Sequence, residues 1–276
     1  MALSDDADMQ LDPALTQAVE AVHQAGHLLL SRRGHSTVLR QKASLDDVLD
    51  IDIESEALIV DILHTAFPGD GIESEEGVIE NEQSRRQWII DPLDGSANYQ
   101  HGNPSFGIAI CLLMDRMPML CAIYLPVADE LYTAIRGRGA FRNNMPIHVS
   151  QIQDVRHAVI HLGDFSKGAQ PDENTVRVAT VSTLASKVYR LRLIGTAATD
   201  FAYVASGRAD GLVMYTAHPW DLHAGTLLVM EAGGQVAAIQ TTTTELYHIA
   251  SNGCVHDELV TLLPFLSEHN GMAGSP

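Results

Sequence analysis

The sequence predicts an α/β fold, and three observations predict it. Two amphipathic helical stretches open the chain, and a run of short β-rich segments separated by turn residues follows. From about residue 157 onward helices and strands alternate. The first helix starts at Asp12-Pro13, a capping acid followed by a proline whose missing N–H is harmless in a first turn. Leu15, Val19, Val22, Gly26 and Leu29 then recur at helical spacing, and Gly34 stops the helix. A second helix is expected from Asp50 to Ala66, with Leu58, Ile59, Ile62 and Leu63 on its apolar side; Phe67-Pro68-Gly69-Asp70-Gly71 ends it. Strand signals follow at Gly71-Ile72, at Trp88-Ile89-Ile90 stopping at Asp91-Pro92, and from Phe106 to Met114. Leu120 to Leu125 and Leu131 to Ile135 flank a turn containing Pro126, the pattern of a meander. The second half reads as a strand at His157–Leu162, helices at Asn174–Ala185 and Ala197–Ser206, and a strand at Gly211–Tyr215. A helix at Asp221–Glu231, closed by Gly233-Gly234, and a strand at Gln235–Ile239 complete it. Thr241 to Thr244 reads as a hairpin or loop, Glu268 to Pro276 as a frayed tail, and no internal repeat is present.

The chain has 276 residues, enough for one large domain or two lobes at about 150 residues each. At this size a core forms without a disulfide or a structural metal. Lys and Arg number 17 against 35 Asp and Glu, a formal charge of −18. Such a surface repels phosphate backbones and anionic lipid, so nucleic acid and membrane are excluded as first expectations for partners. A small anionic substrate is repelled too, unless bound cations reverse the sign locally. Cys111, Cys121 and Cys254 are too few and scattered for a disulfide framework or a zinc site, and read as small buried hydrophobes. Met1 to Asp12 lacks the pattern of a signal peptide, and no apolar run approaches the ~20 residues that span a bilayer. The expectation is a cytoplasmic protein.

The chemistry concentrates in Trp88 to Tyr99. Asp91 and Asp94 stand three residues apart where an apolar strand meets Pro92 and Gly95, which predicts both at the exposed end of a buried strand. Paired carboxylates with oxygen-only neighbours suit Mg2+, which takes one or two acids and completes its shell with water and substrate phosphate. Gly95 and Ser96 add backbone N–H groups and a hydroxyl, a seat for a phosphate. The competing reading is an acidic surface turn. Ser74-Glu75-Glu76-Gly77 lies just before, and His218-Pro219-Trp220-Asp221-Leu222-His223-Ala224-Gly225 puts an acid where a helix starts. Taken alone, Asp221 reads as a cap.

Other patterns are discounted. Gly137-Arg138-Gly139 lacks the third glycine and the strand-to-helix setting of a phosphate cradle. His157 and His161 share a strand face without the carboxylate or cysteine companions of a zinc site. Asp46, Asp47, Asp50, Asp52 and Glu54 lack the glycine and terminal glutamate of a calcium loop. Arg190 and Arg192 read either as receivers of a second phosphate or as solvent-facing, and His218 and His223 either as substrate contacts or as structural.

The constellation resembles the inositol monophosphatase family of Mg2+-dependent, lithium-sensitive phosphomonoesterases, over about Lys42 to Gly234. The resemblance is carried by Asp52 in an acidic helix start, Ser74-Glu75-Glu76, Asp91-Pro92-Leu93-Asp94-Gly95-Ser96 and the loop from Gly137 to Phe141. Gly195-Thr196-Ala197-Ala198, Trp220-Asp221 and Ala224-Gly225 continue it in the family's order. It implies a layered helix/sheet sandwich of the inositol monophosphatase and fructose-1,6-bisphosphatase type, an α/β (α+β) sandwich. Residues 1–145 would form a lobe with most metal ligands, and 146–276 a lobe with the last aspartate and the substrate edge. It also implies a homodimer, and two or three Mg2+ ions with Mn2+ as a stand-in.

Position by position, the resemblance implies that Glu75, Asp91 and the Leu93 carbonyl hold a first metal. Asp91, Asp94 and Asp221 would hold a second, with Glu75 also facing a looser third. Ser96 stands in for a threonine hydroxyl that orients the attacking water together with Glu75 and Asp52. The amides of Gly95 and Ser96 would hold phosphate oxygens, and Asp94, Gly195, Thr196, Ala197 and Asp221 the substrate edge. Met214 occupies the place of a glutamate that binds inositol hydroxyls.

The resulting expectation is Mg2+-dependent hydrolysis of a small phosphomonoester, an inositol monophosphate or a related polyol or sugar phosphate. The Met214 departure keeps fructose 1,6-bisphosphate, histidinol phosphate and nucleotide phosphates open as substrates. A covalent aspartyl mechanism of the haloacid-dehalogenase kind needs an Asp-x-Asp spacing that Asp91 and Asp94, separated by two residues, do not have. A non-catalytic, protein-binding regulator on the same fold has no use for clustered, mutually repelling acids.

Overall fold

The computed structural model describes residues 11–42, 47–165, 171–216, 218–240 and 246–263. The readings of the first ten residues, of Thr241–Thr244 and of Glu268–Pro276 fall outside them. Helix α1 (Leu11–Arg32) and helix α2 (Asp50–Ala66) pack against each other, linked through a two-stranded antiparallel ribbon of β1 (Val38–Gln41) and β2 (Asp47–Leu49). An eight-stranded sheet follows. Its strands are β3 (Gly71–Ser74), β4 (Ile79–Glu80), β5 (Arg86–Asp94), β6 (Gly107–Met114), β7 (Met117–Leu125), β8 (Glu130–Ile135), β9 (Ala140–Arg142) and β10 (Met145–Ile147), in the order β10-β9-β8-β7-β6-β5-β3-β4. Within this sheet, among the described residues, only β3 and β5 pair in parallel. A short helix α3 (Ser96–Gln100) interrupts the run after β5.

The second sheet has the order β12-β11-β13-β15-β14, with β11 (Val159–Leu162), β12 (Arg190–Arg192), β13 (Gly211–Met214), β14 (Gln235–Gln240) and β15 (Leu246–Ser251). The remaining helices are α4 (Pro171–Ala185), α5 (Ala197–Ala205), α6 (Pro219–Glu231) and α7 (His256–Leu262).

Strand alternation sorts the core into layers. Trp88, Ile90, Ile108, Ile110 and Leu112 join α1 and α2 on one face of the large sheet. Ile89, Ala109, Cys111, Cys121 and Ile123 face the other way and pack with α5 and α6. Those two helices also meet the second sheet through Leu212 and Ala250, while Ile160, Leu162, Val213 and Ile249 turn outward to Leu184 of α4 and Leu259 of α7. The result is a five-layer αβαβα sandwich, the fold class expected, with α5 and α6 shared by both halves. At their crossing, a side chain on Gly225 would begin 2.2 Å from the Phe201 ring. The loop Gly137–Gly139 cradles an anion of the protein's own: Glu231, at the end of α6, accepts from the N–H groups of Gly137 (2.9 Å) and Gly139 (3.0 Å).

Three expectations are corrected. Cys254 is exposed, unlike Cys111 and Cys121, which face each other across β6 and β7 as buried free thiols. Helix α6 begins at Pro219, so Asp221 sits inside its first turn rather than at the cap. Strand β5 does not stop at Pro92 but continues to Asp94. No described helix is long and apolar enough to cross a membrane.

Candidate active site

The continuation of β5 depends on a bulge. Asp91 pairs with Ala109 and Asp94 with Gly107, three steps on one strand against two on the other. Pro92, which has no N–H for the ladder, lies inside the bulge. Its carbonyl accepts from Ser55 Oγ (2.8 Å), and the Leu93 N–H donates to Asp91 Oδ1 (3.2 Å). Asp91 and Asp94 are therefore not at an exposed strand end: they are 2% and 9% exposed. The reason is tertiary, because β5 is flanked by β3 and β6 and covered by α2 and α6.

Each neighbouring group is held by a specific partner. Gly95 turns the chain in the left-handed region (φ +90°), where a side chain would also crowd Ser105 and Gly195 backbone oxygens. Ser96 Oγ donates toward Asp52 Oδ1 and the Leu93 carbonyl, both at 3.1 Å. The other Asp52 oxygen accepts from the Leu49 N–H at 2.6 Å, the bond that opens α2. Asp94 Oδ2 accepts from Thr196 Oγ1 (2.6 Å) and from the Ala198 N–H at the start of α5. Asp221 Oδ2 accepts from Thr216 Oγ1 (2.7 Å). Glu75 follows β3, its N–H donating to the Ile90 carbonyl at 3.2 Å. Lys42 Nζ reaches Glu75 Oε1 (2.7 Å) and Glu76 Oε1 (2.8 Å).

Burial pushes Asp52 up to about 7, with the negative charges of Glu76 and Glu75 adding to it. Asp91 lies well above the usual carboxylate range through burial and the repulsion of Glu75, Asp94 and Asp221. Asp94 is raised for the same first reason, against the Thr196 hydrogen bond. Burial pushes Asp221 up to about 7, against its Thr216 hydrogen bond and with Glu75 adding repulsion. Partial burial opposes the charge of Lys42, but Glu75 and Glu76 outweigh it and raise its pKa.

These groups open on a cleft of about 460 Å³ lined by every expected site residue except Asp52, which acts from behind Ser96. Gly195, Thr196 and Ala197 edge it, and the far wall comes from Gly163 to Phe165, Arg177, Asp200 and Met214 to Thr216. Met214 is 5% exposed and belongs both to the inner core and to the wall. His218 stacks on Trp220 (4.8 Å) and lines the cleft; His223 is not among the lining residues. Arg190 and Arg192 lie on an edge strand and are exposed, outside the cleft. Sequence reasoning missed Lys42, Thr216 and Arg177. It also denied His161 a carboxylate companion, whereas His161 Nδ1 lies 2.7 Å from Asp200 Oδ1, both buried. A partner 39 residues away leaves no trace in a single sequence.

The donor set is all oxygen: four carboxylates and one main-chain carbonyl, three of the acids raised by burial or by one another. Such a set fits a hard divalent cation, which would relieve the repulsion. Among the described residues no three acids or imidazoles already stand as a closed metal cluster. Glu75 is turned to Lys42, and Asp94 to Thr196 and Ala198.

Fold and cleft together define a phosphoric monoester hydrolase, a phosphatase built on a layered α/β sandwich. The chain belongs to the inositol monophosphatase family, whose model matches residues 10–267. It is 32% identical over 258 residues to a fructose-1,6-bisphosphatase/inositol-1-monophosphatase of Thermotoga maritima, covering 92% of this chain and 97% of that protein. It is 35% identical to the Nus factor SuhB of Escherichia coli K12, covering 82% and 85%. Among solved structures, extragenic suppressor protein suhB from Bartonella henselae superposes with a TM-score of 0.84 at 33% identity, covering 91% of this chain and 98% of that one.

Proposed function

We propose that the protein hydrolyses small phosphomonoesters with water as the nucleophile and Mg2+ as cofactor. The observation that carries this reading is the convergence of Glu75, Asp91, Asp94 and Asp221 on one cleft beside a hydroxyl, Ser96, already oriented by Asp52. Glu75, Asp91, the Leu93 carbonyl, Asp94 and Asp221 would hold the metal. When bound, Mg2+ supplies positive charge that attracts the phosphate and lowers the pKa of water. Ser96 donates its proton toward Asp52 and Leu93, so its lone pairs remain to accept a hydrogen of water. Accepting that hydrogen turns the water oxygen's lone pair toward phosphorus, and Glu75 takes up a second hydrogen bond from the same water. The N–H groups of Gly95 and Ser96 hold phosphate oxygens. Asp94 is locked by Thr196 and Ala198, which ties the phosphate seat to the substrate edge.

The test is phosphate release from inositol 1-phosphate, glycerol 2-phosphate and sugar phosphates with and without Mg2+. Activity is expected to require the cation, and full turnover after exhaustive EDTA treatment overturns the reading. Lithium is expected to inhibit, by the family resemblance, and insensitivity at tens of millimolar counts against it. We read the assembly as a cytoplasmic homodimer, checked by light scattering. The similarity to proteins called Nus factor SuhB supports a second reading, a protein-binding role on the same fold. An Asp91→Asn chain that complements a deletion strain as well as wild type favours that role.

A further inference from the structure

We infer that Arg177 is a specificity-determining residue that receives a second anionic group, carboxylate or phosphate, on the phosphomonoester. The inference rests on the phosphatase reading above and names the substrate class. Arg177 stands on α4, half-buried, and lines the cleft. Its Nη1 donates to the Asp164 carbonyl (3.0 Å), and its guanidinium lies 4.9 Å from the centre of the Tyr215 ring. A main-chain carbonyl and an aromatic face fix the guanidinium plane without neutralising it, and the rest of the fork is left to match a carboxylate or phosphate.

Among the described residues no carboxylate forms an ion pair with Arg177. The chain carries 35 acids against 17 bases, and Arg32, Arg85, Arg86, Arg138, Arg156 and Arg208 each bind a carboxylate. Arg33, Arg136, Arg190 and Arg192 reach main-chain carbonyls as Arg177 does, but of these five Arg177 is the one that lines the cleft. Neither acid of the wall pairs with Arg177. Asp200 is bonded to His161 at 2.7 Å, and Asp164 Oδ2 lies against Gly195. Met214, next to Tyr215, adds no charge. The cleft therefore has an acidic floor for a cation-bridged phosphate and, on a wall that also carries Asp164 and Asp200, one arginine placed for another anion.

Two matched pairs of substrates test this with Mg2+ present. 2-Phosphoglycerate differs from glycerol 2-phosphate by a carboxylate, and fructose 1,6-bisphosphate differs from fructose 1-phosphate by a phosphate. Wild type is expected to favour the more anionic member of at least one pair by about tenfold or more in kcat/KM; which pair responds identifies the anion. Arg177→Met is expected to erase that preference and Arg177→Lys to keep part of it, each variant first checked for a wild-type melting temperature. No preference in either pair, or an Arg177→Met loss equal for both members, overturns the inference while the phosphatase reading stands. Absence of phosphate release from all four substrates overturns the phosphatase reading and this inference with it.

Discussion

The acidic floor of the cleft and its far wall solve opposite electrostatic problems. On the floor, Asp91, Asp94 and Asp221 are held by neutral donors, hydroxyls and amides, and Lys42 at the rim is the cation that meets Glu75. On the wall, the acid Asp200 has an imidazole beside it, and the arginine has a carbonyl and a ring. The floor thus concentrates negative charge that a cation relieves, while the wall, which also carries Asp164, presents in Arg177 a positive group that an anion can meet. Neutral hydrogen bonds position a charged group without cancelling it, so each region keeps an affinity for the opposite sign.

The strongest way to break this comparison is Asp91→Asn, which removes the carboxylate that Glu75, Asp94 and Asp221 all repel. Its kcat/KM should fall by more than the ~100-fold typical of losing an outer partner of a metal ligand. Calorimetric titration with Mg2+ should show weakened binding. Undiminished Mg2+ affinity would sink the assignment of the floor as a cation site. Next in size is Ser96→Ala, expected to lower kcat by about a hundredfold with little change in KM, as for loss of one group that manages a proton in the transition state. An intact kcat with Mg2+ still bound removes Ser96 from the mechanism.

Met214→Glu sharpens the comparison by adding negative charge to the wall. Selectivity for inositol 1-phosphate over glycerol 2-phosphate should rise about tenfold through a charged hydrogen bond. Because the position is also core, stability should fall by about 1–3 kcal/mol. Kinetics and thermal melts separate the two effects, and unchanged selectivity refutes a substrate role for residue 214.

The smallest effect concerns pH. Burial pushes Asp200 up to about 6, against the hydrogen bond from His161. Its folded pKa lies above the unfolded value, so its contribution to stability is complete below about pH 4 and is lost as pH rises through about 6. Relative to Asp200→Asn, which cannot titrate, wild type should lose melting temperature over that window. A difference independent of pH contradicts the assignment.

The two regions also differ in how much of them can be read before folding. Asp91, Asp94, Gly95 and Ser96 lie within six consecutive residues, so proline, glycine and paired acids announce the phosphate end from local chemistry alone. The wall has no such contiguity. Arg177 reaches the cleft from α4, Met214 from β13 and Asp200 from α5, and nothing near any of them in sequence names the others. The same contrast holds for elements: α2 coincides with its expected bounds because helix periodicity and Phe67-Pro68-Gly69 are local. Strand β15 and the β1–β2 ribbon, which need partners to exist, escaped notice.

Composition, periodicity and turn chemistry determined by themselves that this chain is an α/β protein with an acidic, cation-seeking motif after a buried strand. Those properties depend on residues close enough in sequence to share a helix turn, a strand face or a tight turn. Only the tertiary structure decided that β5 runs on through a bulge and buries its acids, that Asp52 stands behind Ser96, and that His161 pairs with Asp200. It also decided that Arg177, rather than Arg190 or Arg192, faces the cleft. Burial and pairing are set by what packs from the other layers, and those neighbours are chosen by sheet order and helix packing rather than by distance along the chain.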